Sequence, residues 1–290
     1  MTVWTDLTGT DFSLTVVDAR GVPTRALRAG PTAGEPVVFL HGTTGHLEAF
    51  SRNIVPHAAA GFDCHAIDLL GHGYTQGPDR PYEIADYVDH LLAYLDGRRI
   101  GAAHLVGESL GGWIAARTAI AHPARVASLQ LVAAGGTKAD LAVMRRIKES
   151  TTEAVLGDDI SLTRRRLELL MYDPADVSDE LVAIRHRIYH QPAFQRNLSN
   201  LLCLQEPEIR RRNLLQTEEL ARIACPTLVV WGTNNPFGKV PEAEAMAAAV
   251  PGAELVVYSN CGHWPQHEHP AQYNEKSIAF LRAAARGERR

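Results

Sequence analysis

Residues 107–111 read Gly-Glu-Ser-Leu-Gly, a GxSxG motif centred on Ser109. The motif follows an apolar run at 103–106 that predicts a strand, and it precedes a segment at 110–121 with helical spacing. The glycines permit a sharp turn, so the Ser109 hydroxyl is expected to face a cleft as a nucleophile. The amide of Leu110, at the predicted helix start, can donate to an oxyanion. A serine that only caps a helix is the alternative without chemistry.

A second loop has the composition needed to complete an oxyanion hole. Residues 41–45 read His-Gly-Thr-Thr-Gly and directly follow the apolar run 37–40, which predicts another strand. A flexible loop in this place can offer one backbone amide to the oxyanion. The donor is the amide of Gly42 or that of Thr43, and the sequence does not distinguish them.

A serine nucleophile needs a neighbouring base that titrates near neutral pH, and histidine is the side chain that meets this need. The chain has 13 histidines, so position must decide among them. His263 lies in the loop between the last predicted strand and the last predicted helix, after the serine in chain order. His267, His269 and Glu268 are close to it, but their spacing lacks the helical HExxH pattern of a zinc site. We therefore predict no metal and no cofactor.

The elements that must position these residues can be read from hydrophobic patterning. Short apolar runs alternate with helix-length segments, which predicts a parallel α/β sheet with helices on both faces. An alternating pair of segments at 12–17 and 24–29, separated by a break at 21–23, predicts a hairpin. Between 136 and 222 the strand pattern stops and helical spacing takes over, so this part is predicted to be a helical insertion.

Composition narrows the class of protein. The chain has 290 residues, 46% of them hydrophobic, which is enough for a sizeable core. The net charge is −4 and the charges are mixed, which argues against a nucleic-acid or membrane partner. Four cysteines form no CxxC pair, no membrane span is found, and the start lacks signal-peptide features. We expect a soluble, cytoplasmic protein whose last residues, 286–290, fray.

Together these segments resemble the α/β-hydrolase superfamily and, more narrowly, the meta-cleavage product hydrolases, which break a carbon–carbon bond in ring-opened aromatic compounds. The resemblance implies a mostly parallel eight-stranded sheet with helices on both faces and a helical lid inserted after strand six. Residues 1–135 and 223–290 would form the core, and 136–222 the lid. The resemblance rests on His41-Gly42, residues 68–73 (Asp-Leu-Leu-Gly-His-Gly), the GESLGG motif, Trp231-Gly232 and the Gly-His-Trp-x-Gln-x-Glu stretch at 262–268. Its most specific portions are the stretch at 262–268 and the part of the insertion from Tyr172-Asp173-Pro174 to Gln191-Pro192.

The resemblance also implies roles for single residues. Ser109 would attack the 6-keto group of a 2-hydroxy-6-oxohexa-2,4-dienoate, and His263 would move the protons, giving a 2-hydroxypentadienoate and a carboxylic acid. Arg185 matches the arginine that binds the substrate carboxylate, which a planar guanidinium pairs well; a solvated helix face is its other interpretation. Trp264 matches a pocket-lining position, although a core aromatic would look the same. A small-molecule substrate is implied, as is a homodimer or larger homo-oligomer.

Two positions depart from the family pattern. The triad acid usually follows the strand as WGxxD, and here that place holds Asn235, whose amide can orient an imidazole but cannot stabilise its positive charge. Asp140 could substitute as the acid, or it could cap the first helix of the insertion. Glu108 stands where a neutral polar residue is common. Because a carboxylate beside the nucleophile adds negative charge there, we expect Glu108 to point away from Ser109.

Two other functions stay open. A carboxylesterase or lactonase would use the same nucleophile on an ester, since fold does not determine function. Asn235 also allows a catalytically impaired homologue that keeps the pocket and only binds. The 6-substituent of the substrate cannot be read from the sequence.

Overall fold

The structure is a computed structural model that describes residues 3–287, apart from the side chain of Trp4. Residues 288–290, part of the segment expected to fray, lie outside the described residues. One sheet of eight strands organises the described chain. The strands are β1 (Phe12–Ala19), β2 (Val22–Ala29), β3 (Pro36–Leu40), β4 (Asp63–Ile67), β5 (Ala103–Glu108), β6 (Val126–Val132), β7 (Thr227–Gly232) and β8 (Glu254–Tyr258).

The sheet has the order β1-β2-β4-β3-β5-β6-β7-β8. β1 pairs antiparallel with β2, and β2 antiparallel with β4, whereas all later neighbours are parallel. Arg20 and Gly21, with φ of 52° and 87°, form the tight turn between β1 and β2. The predicted hairpin and the mostly parallel eight-stranded sheet are therefore confirmed, with the turn just before the expected break.

Helices cover the sheet on both faces. None of the described helices is long and apolar enough to cross a membrane. The α-helices are α1 (Val3–Asp6), α2 (Ser51–Ala59), α3 (Ile84–Gly97), α4 (Leu110–Ala121), α5 (Leu141–Leu156), α6 (Ile160–Glu168), α7 (Asp179–Tyr189), α8 (Pro192–Arg196), α9 (Leu198–Leu201), α10 (Pro207–Asn213), α11 (Thr217–Leu220), α12 (Val240–Ala249), α13 (Pro265–Glu268) and α14 (Pro270–Ala285). Short 3-10 segments occupy Leu47–Phe50, Pro123–Arg125, Pro174–Asp176 and Cys203–Gln205.

Burial of the strands on both faces of the sheet explains their continuous apolar runs. Along β3, Val38 and Leu40 pack into one hydrophobic cluster, whereas Val37 and Phe39 pack into the other. Successive strand residues point to opposite faces, so a strand covered on both sides must be apolar at every position. The core therefore consists of two apolar layers separated by the sheet.

The chain between β6 and β7 folds as helices α5 to α11 and, over its described residues, forms no strand. We call residues 141–220 the helical insertion. Val143 and Ile147 of α5 line a cavity together with Ser109 and Trp231, which lie at the carboxyl ends of β5 and β7. The insertion therefore covers the edge of the sheet at which ligands bind in open α/β sheets.

Helix α4 lies unusually close to the sheet. A Cβ placed on Gly111 would be 2.0 Å from the carbonyl oxygen of Leu40, at the end of β3. Only glycine allows the first turn of α4 to approach the backbone of β3 this closely. This contact determines where the turn before α4 can lie.

We expect Gly111→Ala to lower the free energy of unfolding by about 3 kcal/mol, because a methyl group against a backbone carbonyl overpacks the core. Urea denaturation monitored by tryptophan fluorescence would measure this loss. Gly101→Ala is the matched control, since a Cβ at exposed Gly101 meets no atom within 4 Å. Equal stability of the two variants would contradict the inferred close packing.

Candidate active site

Ser109 occupies a strained turn between β5 and α4. Its φ of 53° and ψ of −110° lie in a region that residues other than glycine rarely adopt. The Ser109 amide donates to the Val132 carbonyl at 2.9 Å, and the Ser109 carbonyl accepts from the Gly135 amide at 3.0 Å. These bonds hold the strained backbone between β5 and β6 and leave the serine side chain half-buried.

The predicted oxyanion donors lie beside this turn. Leu110 begins α4, so its amide has no acceptor within the helix. Thr43 lines a cavity of about 160 Å³ together with Ser109, Leu110 and His263. Gly42 lies instead against a carboxylate, because a Cβ there would be 2.5 Å from Glu108 Oε2. Gly42 and Thr43 both line a recess with Ser109 and His263, and the oxyanion role of both amides stays a prediction.

Asn235 orients the imidazole of His263. Its Oδ1 lies 2.9 Å from His263 Nδ1 and accepts the Phe237 amide at 3.1 Å. Because that amide donates to Oδ1, the oxygen of Asn235 faces the ring and Nδ1 carries a proton. Within the part of the chain that the structure describes, the buried Nδ2 of Asn235 has no hydrogen-bond partner. The amide therefore keeps the orienting contact of a triad acid but not its charge.

Asp140 does not take the place of the triad acid. It is exposed at the start of α5, where Oδ1 accepts the amides of Ala142 and Val143 at 2.9 and 3.0 Å. These are the two bonds of a helix N-cap. The substitute-acid hypothesis is corrected on this point, since His263 Nδ1 is bonded to Asn235.

Glu108 points toward the catalytic residues, so the expectation that it points away is wrong. Its Oε1 lies 3.1 Å from His263 Nε2, and the two side chains are only 2% and 6% exposed, respectively. Nε2 is the ring nitrogen that would serve the nucleophile. Among the described residues, no group hydrogen-bonds to Ser109 Oγ. The carboxylate next to the nucleophile thus contacts the histidine on the side opposite Asn235.

Arg185 is buried, with 2% of its surface exposed, and is not on a solvated helix face. Nη1 donates to the Thr44 carbonyl at 3.1 Å and to the Tyr189 hydroxyl at 3.2 Å. Its Nε and Nη2 have no partner among the described residues. The guanidinium carbon is 5.8 Å from the centre of the Trp264 ring, so Trp264 also faces this site. Arg185 therefore has two hydrogen-bond donors left for a ligand.

A second buried arginine, Arg166, was missed by sequence reasoning. Nε donates to Thr151 Oγ1 at 3.1 Å, the guanidinium lies 5.7 Å from the Phe237 ring centre, and Nη1 has no partner in the described chain. The signal was helical spacing, because Thr163, Arg166 and Leu167 form the buried face of α6. Arg164 and Arg165 flank it but are less buried, so the run of arginines hid the one that faces inward.

Arg166 and Arg185 line a small recess together with Thr43, Glu108, Ser109 and His263, and they contribute its positive charge. Burial lowers the pKa of the Arg166 guanidinium and nearby Arg185 lowers it further, whereas Tyr189 and Glu108 oppose this. Burial raises the pKa of the Tyr189 phenol, but the two arginines outweigh it and the pKa lies below its usual value. Burial and Arg185 together lower the pKa of His46 to about 4. A recess with these properties favours an anion.

Glu268 holds the histidine loop in place. Its carboxylate accepts the Gly262 amide at 3.0 and 2.9 Å and the Trp264 amide at 3.0 Å, on either side of His263. It also accepts the amide of Tyr172 in the helical insertion at 2.7 Å. One carboxylate thus ties the catalytic loop to the insertion.

The other two histidines near this loop contact backbone carbonyl groups and have structural roles. His267 Nε2 lies 3.1 Å from the Asp176 carbonyl, and His269 Nε2 lies 3.1 Å from the Asn260 carbonyl. Their rings therefore do not converge with His263. Over residues 3–287, no three His, Cys, Asp or Glu side chains are grouped to hold a metal ion.

A family model described as alpha/beta hydrolase fold matches residues 35–270. The chain belongs to this family. It is 33% identical to a 2-hydroxymuconate semialdehyde hydrolase of Pseudomonas sp. (strain CF600), over 92% of this chain and 93% of that protein. It is 30% identical to a 2-hydroxy-6-oxononadienedioate/2-hydroxy-6-oxononatrienedioate hydrolase of Burkholderia vietnamiensis (strain G4 / LMG 22486), over 87% and 88%.

A solved structure gives the same result for the fold. A mutant of the meta-cleavage product hydrolase CumD from Pseudomonas fluorescens IP01 superposes with a TM-score of 0.80 at 27% identity, covering 94% of this chain and 98% of that one. The predicted resemblance to meta-cleavage product hydrolases is confirmed by these three proteins. This hydrolase departs from the family pattern described above at Asn235 and Glu108.

We expect Glu268→Gln to lower turnover about 10-fold and the free energy of unfolding by about 1–3 kcal/mol, because an amide NH₂ cannot accept the backbone amides that the carboxylate accepts. Steady-state kinetics and thermal unfolding would measure both effects. Glu275→Gln, an exposed change on α14, is the control and should alter neither. Unchanged turnover in Glu268→Gln would show that the histidine loop does not depend on this carboxylate.

Proposed function

We propose that the protein is a serine-dependent hydrolase that cleaves the carbon–carbon bond between C5 and C6 of a 2-hydroxy-6-oxohexa-2,4-dienoate, giving 2-hydroxypentadienoate and a carboxylic acid. The observation that carries the proposal is the buried guanidinium of Arg185, whose free donors share a recess with Ser109 and His263. A carboxylate pairs with such donors in bidentate geometry. A simple ester offers no group that needs this buried cation. The two curated relatives, whose names specify carboxylate substrates, support the same class.

The residues of the site divide the reaction between them. With the C1 carboxylate on Arg185, a proton is added at C5 and the C2 enolate becomes a ketone, and Ser109 then attacks the C6 ketone as His263 takes its proton. The amides of Leu110 and Thr43 would stabilise the oxyanion at C6. Cleavage of the C5–C6 bond leaves an acyl group on Ser109, and His263 gives its proton to the departing dienolate, which leaves as 2-hydroxypentadienoate. Water then hydrolyses the acyl group with the neutral His263 as base.

The helical insertion is proposed to act as a lid over the core. Residues 136–222 would form the lid, and residues 1–135 and 223–290 the core. Support comes from Arg185 and Arg166, which reach the catalytic residues from the insertion. A lid that excludes water protects the reactive enolate and strengthens the contacts to its charges. The expected homo-oligomer and the expected cytoplasmic location stay predictions.

The direct test is the loss of dienolate absorbance when enzyme is mixed with 6-alkyl and 6-aryl 2-hydroxy-6-oxohexadienoates. Arg185→Gln should raise KM about 100-fold, since a buried charge-assisted pair contributes about 3 kcal/mol. Arg187→Gln, an exposed change on the same helix, should leave KM unchanged.

Other results would favour the other functions. Rapid hydrolysis of p-nitrophenyl acetate without consumption of any dienoate would favour the carboxylesterase or lactonase. Tight dienoate binding without turnover would favour the impaired homologue, which Asn235 makes a specific second candidate.

A further inference from the structure

The pair formed by Glu108 and His263 is not explained by the serine mechanism above. Glu108 is 1% exposed at the end of β5, and its Oε1 is 3.1 Å from His263 Nε2. Within residues 3–287, no other side chain lies at ion-pair distance from this carboxylate. A buried carboxylate without a partner is costly, so His263 is the group that must compensate its charge.

The contacts of His263 determine which form of the ring suits this carboxylate. Nδ1 carries a proton, because it faces the oxygen of Asn235. A neutral ring would then leave Nε2 uncharged 3.1 Å from the carboxylate oxygen, so the carboxylate would have no opposite charge at ion-pair distance among the described side chains. Adding a proton to Nε2 turns this contact into an attraction between opposite charges. The arrangement therefore favours one proton more than a neutral histidine holds.

We propose that Glu108 supplies the negative charge that Asn235 lacks, stabilising protonated His263 from the Nε2 side and keeping a proton in the resting site for delivery to the substrate. For the substrate this inference rests on the proposed function. For the state of His263 it rests on geometry alone. Glu108 acts through His263 and is a positioning residue in this scheme.

The proton balance of the first step follows from this state. The stored proton leaves Nε2 and forms a C–H bond at C5 of the bound dienolate, whose enolate electrons form the C2 ketone. His263 is then neutral beside an ionised Glu108, and Nε2 can accept the hydroxyl proton of Ser109 as the bond to C6 forms. The imidazolium made in that step is again stabilised by Glu108.

Other charged groups face the pair from the elements packed around it. Arg166 and Arg185 reach the recess from α6 and α7. Glu268, at the end of α13, binds the backbone amides on both sides of His263. The arginines carry the same charge as a protonated His263, whereas Glu108 carries the opposite charge and lies at ion-pair distance from it. An anionic substrate bound to the arginines would reduce their opposition.

The first experiment needs no substrate. In protein labelled with ¹⁵N-histidine, His263 of Glu108→Gln should lose its Nε2 proton at a pH at least about one unit lower than in the unchanged protein. The signal is assigned with His263→Gln, and Glu149→Gln, an exposed change on α5, is the control. Identical titration of His263 in Glu108→Gln and in the unchanged protein would overturn the proposal. Thermal unfolding checks that each variant is folded, and Glu108→Asn gives a second neutral variant.

The second experiment moves the charge from one ring nitrogen to the other. Glu108→Gln should lower kcat about 100-fold, and adding Asn235→Asp to it should recover at least about 10-fold. Asn235→Asp alone should not raise kcat at neutral pH and should shift the pH–rate profile upward, because two carboxylates keep His263 protonated. A large rise in kcat with Asn235→Asp alone, and no effect of Glu108→Gln, would show a damaged triad and overturn the proposal.

The unchanged protein, Glu108→Gln, Asn235→Asp and the double variant can also be compared by the rate at which a fluorophosphonate modifies Ser109. This reaction depends on His263 as base but not on dienoate cleavage. If no dienoate is cleaved while His263 of Glu108→Gln loses its Nε2 proton at the lower pH expected above, the proposed substrate is wrong and the role of Glu108 stands. If dienoates are cleaved and His263 titrates alike in the four proteins, the proposed substrate stands and the proposed role of Glu108 is wrong.

Discussion

The position of the nucleophile and of its two neighbours in the chain depends on the close packing of α4 against the end of β3. Because Gly111 has no side chain, α4 starts directly after β5, and Ser109 must turn through a left-handed conformation. The same turn places the Leu110 amide at the helix start, where it has no acceptor within α4, and aims the side chain of Glu108 at Gly42 and the histidine. One steric constraint thus places the nucleophile, an oxyanion donor and a carboxylate within a single cleft.

The sheet was predictable because strands covered on both faces must be apolar throughout. Helices were harder where burial does not produce an apolar stripe. Helix α2 was not predicted. It contains Pro56 and buries polar side chains, and His57 Nε2 lies 2.8 Å from Ser277 Oγ of α14. Three of the five buried residues of α2, namely Ser51, Asn53 and His57, are polar, so its buried face does not stand out as a run of apolar side chains at helical spacing.

Some residues of the site could likewise be predicted from sequence motifs, whereas the contacts of others depend on tertiary packing. Ser109 and His263 follow from local motifs and chain order, which the structure brings together in one cavity. The directions of Glu108 and Arg166 do not follow, because they depend on a strained turn and on how α6 packs over the core. Asp140 shows the converse, since a carboxylate near the correct strand caps its own helix through Oδ1. Sequence spacing identifies which residues are near, and tertiary packing determines what they contact.

In this protein the carboxylate that contacts His263 is Glu108, whereas position 235 holds a neutral amide. This placement has a mechanistic cost, which the binding of an anionic substrate can offset. An acid at Nδ1 stabilises the imidazolium and leaves Nε2 free for the serine, whereas a carboxylate at Nε2 occupies the nitrogen that the serine needs. His263 must therefore change partners during each cycle. An anionic substrate provides the reason to do so: it accepts the proton that holds His263 to Glu108, and it places its own charge on Arg185. A neutral ester does neither, so this charge arrangement would favour dienolates over esters.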